Sequence, residues 1–211
     1  MSILYLHGFA SSPHSRKAVF FSEKLRAAGF RVEIPDLAQS DFEHLTLRRQ
    51  LNFIEDIARG RDVILIGSSL GGYLASLYAA RHLEAKKVLL LAPAFGFREL
   101  WIASLGPERL AEWKARGVLN VFHYGEGREL PLAYEFLEDS RGLDPFPVLA
   151  QPVLIFHGTR DSVVPIEQSL AFVRLNPQAK LVPFNESGHE LTDVLDQMWS
   201  AAEDFLFGTA A

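Results

Sequence analysis

Short runs rich in Leu, Ile and Val alternate with longer amphipathic segments along most of this 211-residue chain. Several of these runs are apolar at every position, so a strand formed from one of them needs cover on both faces. Strands of this kind, separated by helices, are typical of a doubly wound parallel sheet. The sequence therefore predicts the α/β class, with a mostly parallel six-stranded sheet between two layers of helices.

The apolar runs and the turn residues between them place six strands and five main helices. Gly29 and Gly60 mark two helix C-termini, where glycine is favoured. The predicted strands are Ser2–Leu6, Arg31–Ile34, Asp62–Ile66, Lys87–Leu91, Pro152–Phe156 and Lys180–Phe184. The predicted helices are Ser15–Ala28, Asp41–Ala58, Leu70–His82, Ile166–Leu175 and Leu191–Phe207.

One connection is far longer than a crossover requires. More than fifty residues separate Ala94 from Pro152, where about a dozen would suffice, and connections of such length usually carry function. We expect a single domain, residues 1–211, with a small cap inserted at about residues 96–148. The predicted parts of this cap are two short helices, Phe97–Leu105 and Glu108–Arg116, a hairpin of Val118–Tyr124 with Arg128–Leu132, and a helix at Ala133–Asp139.

Composition excludes several classes of function. The net charge is −5 and the Lys and Arg residues are scattered, so no basic stripe predicts a nucleic-acid partner. The absence of cysteine excludes disulfides and thiolate nucleophiles and is compatible with a reducing compartment. The first residues lead directly into a strand, without a signal-peptide pattern, and no apolar run is long enough to span a bilayer. We expect a cytoplasmic protein.

The segment Gly67-Ser68-Ser69-Leu70-Gly71 stands between the apolar run Val63–Ile66 and a helix-like segment. Glycines on either side of a serine allow the strand and helix backbones to approach each other closely. The serine of such a nucleophile elbow lies in a strained turn, with its hydroxyl exposed beside a helix N-terminus. We therefore predict that Ser69 is a nucleophile. The alternative is a glycine-rich turn that only connects a strand to a helix.

A serine hydroxyl needs a base to take its proton during attack on a carbonyl. His189 lies after the last predicted strand, and in a parallel sheet that position shares an edge with Ser69. We predict that His189 is this base, the alternative being a structural loop histidine. His7 and His157 also follow strands, but each precedes a glycine and is interpreted as a hydrogen-bonding residue that shapes its loop. Solvated helix or hairpin surfaces are predicted for His44, His82 and His123.

The base in turn needs a carboxylate, which in elbow-type hydrolases lies between the serine and the histidine in the chain. Asp161, just after the fifth predicted strand, meets this requirement and is predicted to orient His189. The alternative for Asp161 is a turn former or helix cap before the helix near Pro165. Two weaker candidates for the acid are Asp144, where the cap ends, and Asp193, inside the last predicted helix.

Attack on a carbonyl leaves negative charge on its oxygen, which backbone N–H groups can receive. The amide of Leu70 follows the nucleophile, and a second amide is expected from the loop after the first strand, where we choose Phe9. Gly8 allows close approach of that backbone, and the Phe9 ring would form a wall of the site. The alternative is that His7-Gly8 is only a tight turn and Phe9 is part of the core. The glycines that shape this site are Gly8, Gly67 and Gly71.

Four segments together resemble the α/β-hydrolase superfamily, and they span nearly the whole chain. They are Leu6-His7-Gly8-Phe9, the stretch from Gly67 to Tyr73, His157-Gly158-Thr159-Arg160-Asp161 and Ser187-Gly188-His189. The first half resembles the YqiA-like small bacterial esterases. This resemblance implies a serine esterase that acts on a small-molecule ester without metal or organic cofactor. The antiparallel strand pair with which superfamily members usually begin is absent from the sequence, so a minimal six-stranded sheet is expected.

The predicted cap and its borders are rich in large apolar side chains, most of which we expect to pack the cap onto the sheet. A few of them would line an acyl or alcohol pocket, which favours esters of small to medium apolar acyl groups. The same catalytic groups serve thioesters, so an acyl thioesterase or lipase-like enzyme is the alternative. A further alternative is a protein that binds a ligand without catalysing its hydrolysis. The aromatic residues concerned are Phe95, Phe97, Trp101, Trp113, Phe122, Tyr124, Phe136 and Phe146.

Overall fold

Six parallel strands form the central sheet of the computed structural model, which describes residues 2–208. The strands of this sheet are β1 (Ser2–Leu6), β2 (Arg31–Glu33), β3 (Val63–Ser68), β4 (Ala85–Leu91), β7 (Val153–Gly158) and β8 (Ala179–Phe184). Two further strands, β5 (Val118–His123) and β6 (Arg128–Ala133), form a separate hairpin. The helices are α1 (Arg16–Ala27), α2 (Leu47–Ala58), α3 (Leu70–Ala79), α4 (Phe97–Arg116), α5 (Glu135–Asp139), α6 (Glu167–Leu175) and α7 (Leu195–Phe207). The sheet order is β2-β1-β3-β4-β7-β8, which confirms the predicted fold class.

Each face of the sheet carries its own buried core. On one face α1 and α7 pack against alternate strand residues such as Ile3 and Tyr5. On the opposite face α2, α3 and α6 pack with the chain between β4 and β7 against residues such as Leu4 and Leu6. Because side chains alternate between faces along a strand, this double cover explains why β1 and β3 are buried at every position. None of the helices within residues 2–208 is long and apolar enough to cross a membrane.

The parallel arrangement brings the loops that follow β1, β3, β7 and β8 to one edge of the sheet. Residues Gly8 to Ser15, Ser69, Thr159 to Ile166 and Asn185 to Val194 all lie in or begin these connections. Ligands of open α/β sheets bind at this carboxyl edge, where neighbouring crossovers leave in opposite directions. Ser69, Asp161, His189 and the two predicted oxyanion amides are therefore carried to the same edge.

Two helices begin four or more residues later than the sequence pattern predicts. Helix α2 begins at Leu47 instead of Asp41, and Thr46 caps it by accepting a hydrogen bond from the Arg49 N–H at 3.1 Å. The Asp41 carboxylate instead bonds to the backbone N–H and ring of His44 in a turn that precedes the helix. Helix α7 begins at Leu195 instead of Leu191. The backbone φ of Leu191 is +53°, a left-handed conformation that a right-handed helix cannot contain.

The chain between β4 and β7 folds into a kinked helix, a two-stranded hairpin and a short helix, and we call residues 96–148 the insertion. In α4 the backbone is non-helical at Gly106, just before Pro107, which divides the helix where the sequence predicts a break. Strands β5 and β6 pair antiparallel. The hairpin turn reaches the loop after β1, where the Tyr124 N–H donates to the Ala10 carbonyl at 2.7 Å.

Candidate active site

Ser69 lies in a strained backbone conformation between β3 and α3. Its φ of +53° and ψ of −120° are sparsely populated for residues other than glycine and cost about 1–3 kcal/mol. Four backbone hydrogen bonds hold the turn. The Ser69 N–H donates to the Leu91 carbonyl at 2.9 Å, and the Ser69 carbonyl accepts from the N–H groups of Gly72 at 2.9 Å, Tyr73 at 3.2 Å and Ala94 at 3.0 Å. The neighbouring strand β4 and the segment after it therefore fix the position of the serine.

Glycines surround Ser69 because the backbones there are too close for side chains. A Cβ atom on Gly67 would lie 2.5 Å from the Gly71 carbonyl oxygen, and one on Gly71 would lie 2.1 Å from the Leu6 carbonyl oxygen. A Cβ atom on Gly8 would lie 3.3 Å from the Cβ atom of Ser69. The loop after β1 thus runs directly beside the serine, as the prediction of an oxyanion site requires.

The structure brings Ser69, His189 and Asp161 into one hydrogen-bonded series. His189 Nε2 lies 3.0 Å from Ser69 Oγ, and His189 Nδ1 lies 2.7 Å from Asp161 Oδ2. An ionised carboxylate can only accept, so we assign the proton to Nδ1, which leaves Nε2 of the neutral ring to accept the serine O–H. This tautomer is the one in which histidine can act as a base toward serine.

The Asp161 carboxylate is buried and bonded through both oxygens. Oδ1 accepts from the N–H groups of Val163 at 2.9 Å and Val164 at 2.8 Å, and Oδ2 faces His189. Burial raises the pKa of Asp161, but hydrogen bonds from His157 and His189 outweigh this effect and hold the pKa well below its ordinary value. Asp161 is therefore ionised at neutral pH, and it serves as a turn former and a partner of His189 at once.

Two backbone amides are predicted to receive an oxyanion, those of Phe9 and Leu70. Leu70 is the first residue of α3, where N–H groups have no partner inside the helix and the helix dipole favours negative charge. Among residues 2–208, neither amide donates to a backbone or side-chain acceptor. Both amides therefore keep a proton without an acceptor within the described residues, and their role in catalysis stays a prediction.

The remaining strand-end histidines are bonded within the protein. His7 Nε2 accepts from the Leu37 N–H at 3.1 Å, and burial lowers the pKa of His7. His157 has no exposed surface and bonds to the Ser169 hydroxyl and the Val164 carbonyl. Neither ring is bonded to the Ser69 hydroxyl.

The prediction of a solvated surface for His123 is wrong. Only 6% of this residue is exposed, because the hairpin turn folds down onto the loop after β1 and the ring packs edge-on against Phe42 at 4.8 Å between centroids. Burial lowers the pKa of His123. His44 is exposed as predicted, whereas His82 stacks against Tyr78 at 4.0 Å and is only partly exposed.

The two weaker candidates for the acid are engaged elsewhere. Asp193 accepts a hydrogen bond from the Ser187 hydroxyl at 2.7 Å and lies before α7, not inside it as predicted. Asp144 bonds through its carboxylate to the Phe146 N–H at 3.0 Å. Within the described residues, neither of these carboxylates is bonded to His189.

A buried lysine beside the site is not apparent from the sequence. Lys17 is 7% exposed on α1, and its Nζ lies 3.4 Å from the His189 carbonyl oxygen. Burial lowers the pKa of Lys17, while the charges of Glu190 and Asp161 oppose this effect. In the sequence Lys17 is one of several charged residues of an amphipathic helix, so no local signal distinguishes it. Across residues 2–208, no group of three or more His, Asp and Glu side chains is arranged to hold a metal ion.

Most of the aromatic residues of the insertion and its borders pack together in the core, as expected. Phe95, Phe97, Trp113 and Phe136 are buried, whereas Phe122 and Tyr124 are exposed at the hairpin. The Phe9 ring stacks on Phe136 at 5.1 Å and meets Trp101 edge-on at 4.8 Å between centroids. The loop that supplies the Phe9 amide is thus packed directly against the insertion.

Comparison with solved structures identifies the fold. Alpha/beta hydrolase domain-containing protein 10 from mouse superposes with a TM-score of 0.82 at 19% identity, covering 97% of this chain and 89% of that chain. Est1E from Butyrivibrio proteoclasticus superposes with a TM-score of 0.78 at 23% identity, covering 97% and 86% of the two chains. Both likenesses extend over nearly the whole sheet and its helices, and they show an α/β-hydrolase fold.

Sequence comparison points the same way. The mitochondrial palmitoyl-protein thioesterase ABHD10 of Rattus norvegicus is 26% identical over an alignment of 212 positions, which covers 92% of this chain and 70% of that protein. The AB hydrolase superfamily protein YisY of Bacillus subtilis (strain 168) is 28% identical over an alignment of 233 positions, which covers 89% of this chain and 84% of that protein. The protein is a member of the α/β-hydrolase superfamily, as the resemblance predicts. Within it, the chain belongs to the uncharacterised protein family UPF0227, whose model matches residues 2–206.

Proposed function

We propose that this protein is a serine hydrolase that cleaves carboxylic esters of small to medium apolar acyl groups through an acyl-enzyme on Ser69. The observation that carries the proposal is the hydrogen-bonded series from Ser69 through His189 to Asp161. Each member comes from a different loop at the carboxyl edge, and the order in the chain is serine, acid, histidine, as in elbow-type hydrolases.

In the first half of the reaction, Ser69 Oγ forms a bond to the ester carbonyl carbon as its proton passes to His189 Nε2. Asp161 stabilises the resulting imidazolium, and the amides of Phe9 and Leu70 receive the charge on the carbonyl oxygen. The tetrahedral intermediate collapses by breaking the bond to the alcohol oxygen. His189 returns the proton to that oxygen, so the alcohol leaves and the acyl group stays on Ser69.

In the second half, a water molecule takes the place of the alcohol. His189 Nε2 accepts a proton from the water as its oxygen attacks the acyl carbon, and the same two amides hold the charge that develops. Collapse breaks the bond to Ser69 Oγ, which regains its proton from His189. The products are the carboxylic acid and the free enzyme, and no redox partner is needed.

The proposed preference for apolar acyl groups is supported by the aromatic cluster beside the loop after β1. Phe9, Trp101 and Phe136 pack together there, and residues of the insertion supply two of the three rings. The insertion would act as a cap in this proposal, since its packing on Phe9 gives the acyl group an apolar wall.

Covalent labelling tests the nucleophile directly. A fluorophosphonate is expected to label the wild-type protein at Ser69 and to leave a folded Ser69→Ala variant unlabelled. The neighbouring Ser68 is the matched control, and Ser68→Ala is expected to keep the label. A folded wild-type protein that takes up no label and hydrolyses no ester would refute the proposal.

A thioesterase is the second candidate, because two relatives are named palmitoyl-protein thioesterases. A panel of short and long acyl esters, the matching acyl thioesters and a triglyceride separates the candidates, each assayed with wild-type and Ser69→Ala protein. A higher kcat/KM for thioesters than for oxygen esters of the same acyl group would favour the thioesterase. Binding of ligand without turnover, unchanged by Ser69→Ala and His189→Ala, would favour a non-catalytic protein.

A further inference from the structure

His157 is a buried polar residue that the proposed reaction does not use. It lies near the end of β7, four residues before Asp161, and none of its surface is exposed. Taking an imidazole out of water is costly unless both ring nitrogens find partners. Both nitrogens of His157 have hydrogen-bond partners, and the ring also lies beside the Asp161 carboxylate.

The hydrogen bonds of His157 determine where its proton lies. Nε2 is 2.8 Å from the Val164 carbonyl oxygen, which can only accept, so Nε2 carries the proton. Nδ1 of the neutral ring is then an acceptor, and the Ser169 hydroxyl donates to it at 2.7 Å. Ser169 is fully buried in α6. The Val164 carbonyl therefore fixes the tautomer of the ring, and the Ser169 hydroxyl satisfies the remaining nitrogen.

The same ring acts on both oxygens of the Asp161 carboxylate. His157 Nε2 lies 3.2 Å from Oδ2, the oxygen that His189 also contacts. Through its bond to the Val164 carbonyl, His157 also holds the peptide segment whose N–H groups bond to Oδ1 at 2.8 Å and 2.9 Å. The carboxylate therefore lies between His157 on one side and His189 on the other.

We propose that His157, held at Nδ1 by the Ser169 hydroxyl, is a positioning residue that holds Asp161 in the orientation at which it accepts the His189 Nδ1–H. This inference rests on the proposed function for its kinetic consequence, but the orientation itself does not depend on turnover. Loss of His157 would remove one restraint on Oδ2 and one on the Val164 segment that bonds to Oδ1, so the carboxylate would shift relative to His189. A displacement of about 1 Å in a catalytic group can cost about 100-fold in rate.

Two substitutions of His157 separate positioning from packing. The side-chain amide of His157→Gln can still donate toward Val164 and Asp161, whereas His157→Leu fills similar space and cannot donate. We expect His157→Leu to lower kcat about 10- to 100-fold with KM changed less than about twofold. We expect His157→Gln to recover most of this loss. Ser169→Ala, which removes the hydrogen bond that holds the Nδ1 side of the ring, is expected to lower kcat by about 3- to 10-fold.

Ser140 provides a matched control. It is also buried, and its hydroxyl donates to the Leu137 carbonyl within the insertion. Ser140→Ala is expected to lower the unfolding temperature about as much as Ser169→Ala while leaving kcat unchanged. Kinetic loss in both serine variants, in proportion to their loss of stability, would overturn the inference. Equal kcat loss in His157→Leu and His157→Gln would also overturn it.

A spectroscopic measurement tests the inference without turnover. The proton between His189 Nδ1 and Asp161 is expected to give a downfield NMR resonance in the wild type, in Ser69→Ala and in His157→Gln. The resonance is expected to move or disappear in His157→Leu, or in Ser169→Ala should His157→Leu not fold. An unchanged resonance in these variants would overturn the inference, whereas a wild type that hydrolyses nothing and takes no label would refute only the proposed function.

Discussion

At the scale of single residues, the structure gives Asp161 two sets of partners, and a substitution can separate them. Asn at this position keeps an oxygen that can accept from Val163 and Val164, but its amide nitrogen cannot accept the His189 Nδ1–H. We expect Asp161→Asn to remain folded and to lose about 10⁴-fold in kcat. Ester turnover and a thermal melt of the same sample make the measurement.

Asp161→Ala is the control, because it removes both sets of bonds and should also lower the unfolding temperature. If Asp161→Asn retained kcat within about tenfold of the wild type, Asp161 would be a turn former only, and the proposed role of the carboxylate would fail.

Gly8 gives a second prediction at this scale. A Cβ atom there would lie 3.3 Å from the Cβ atom of Ser69, and four backbone hydrogen bonds hold the serine in place. The loop after β1 therefore has to move, and the Phe9 amide moves with it. We expect Gly8→Ala to lower kcat about 10- to 100-fold, with the unfolding temperature nearly unchanged.

Gly188 is a matched control for Gly8, since it is a second glycine of the active-site loops. A Cβ atom on Gly188 would meet only the Arg160 carbonyl oxygen, at 4.0 Å, so Gly188→Ala should keep kcat near the wild-type value. The same kcat in both variants would show that the loop after β1 does not contribute an oxyanion donor.

The proximity of the three residues proposed for catalysis was predictable from the sequence, whereas the burial of the side chains around them was not. Ser69, Asp161 and His189 each follow a strand, and parallel strands bring such positions together. Burial of Lys17 and His123 depends on which helix or hairpin is packed over them. No local pattern encodes that packing, so these two side chains look like ordinary surface residues in the sequence.

At the scale of elements, the hairpin of β5 and β6 is coupled to the loop after β1. A Cβ atom on Gly125 would lie 2.7 Å from the Cβ atom of Ser12, so Gly125→Ala should lift the hairpin and weaken the bond from the Tyr124 N–H to the Ala10 carbonyl. We expect a loss of about 1–3 kcal/mol in unfolding free energy and a fall of about tenfold in kcat. Urea unfolding and ester turnover check both values.

The double variant Gly125→Ala with Ser12→Gly provides the control for this coupling. Removing the Ser12 side chain makes room for the new methyl group, so much of the lost kcat should return. If the double variant were no better than Gly125→Ala alone, contact with the loop after β1 would not explain the loss.

The strands were easier to predict than the helix starts. A buried parallel strand is apolar at every position, and all six predicted sheet strands end within two residues of the observed ones. Helix α2 was predicted too early because the turn at Asp41 has the same polar residues as a helix N-terminus. The start of α7 was missed because the positive φ of Leu191 is imposed by the surrounding loop and not by leucine itself.

At the scale of the whole molecule, buried neutral histidines should make stability depend on pH. Burial lowers the pKa of His7 and His123, so below pH about 6.5 the unfolded chain binds protons that the folded protein does not. Stability is therefore full above this pH and falls as the pH drops through it. We expect the unfolding free energy to decline by up to about 1.4 kcal/mol per pH unit for each histidine.

Urea unfolding at pH 7.5 and pH 5.5 measures this decline. His7→Gln should reduce it, whereas the exposed His14→Gln should not. His44 acts in the opposite direction, because its hydrogen bond to Asp41 raises its pKa, but it is common to all three proteins and cancels in the comparison. An identical decline in wild type and His7→Gln would contradict the prediction.

The fold class was predictable because a sheet covered on both faces needs strands that are apolar at every position, and such runs are easy to see in the sequence. The packing of the insertion was not predictable, because its contacts join residues that are distant in sequence, such as Tyr124 and Ala10. The cytoplasmic location expected from the cysteine-free sequence stays a prediction, which fractionation of expressing cells would test.

The strand order also decides when during synthesis the site is completed. The elbow serine and its neighbours on β1, β3 and β4 are translated early, while Asp161 and His189 belong to the last quarter of the chain. At about 5–20 residues per second, the ribosome delivers the imidazole on the order of 10 seconds after the hydroxyl. Under the proposed mechanism, a nascent chain therefore lacks the base for Ser69 until the segment after β8 has folded, and hydrolysis would begin only then.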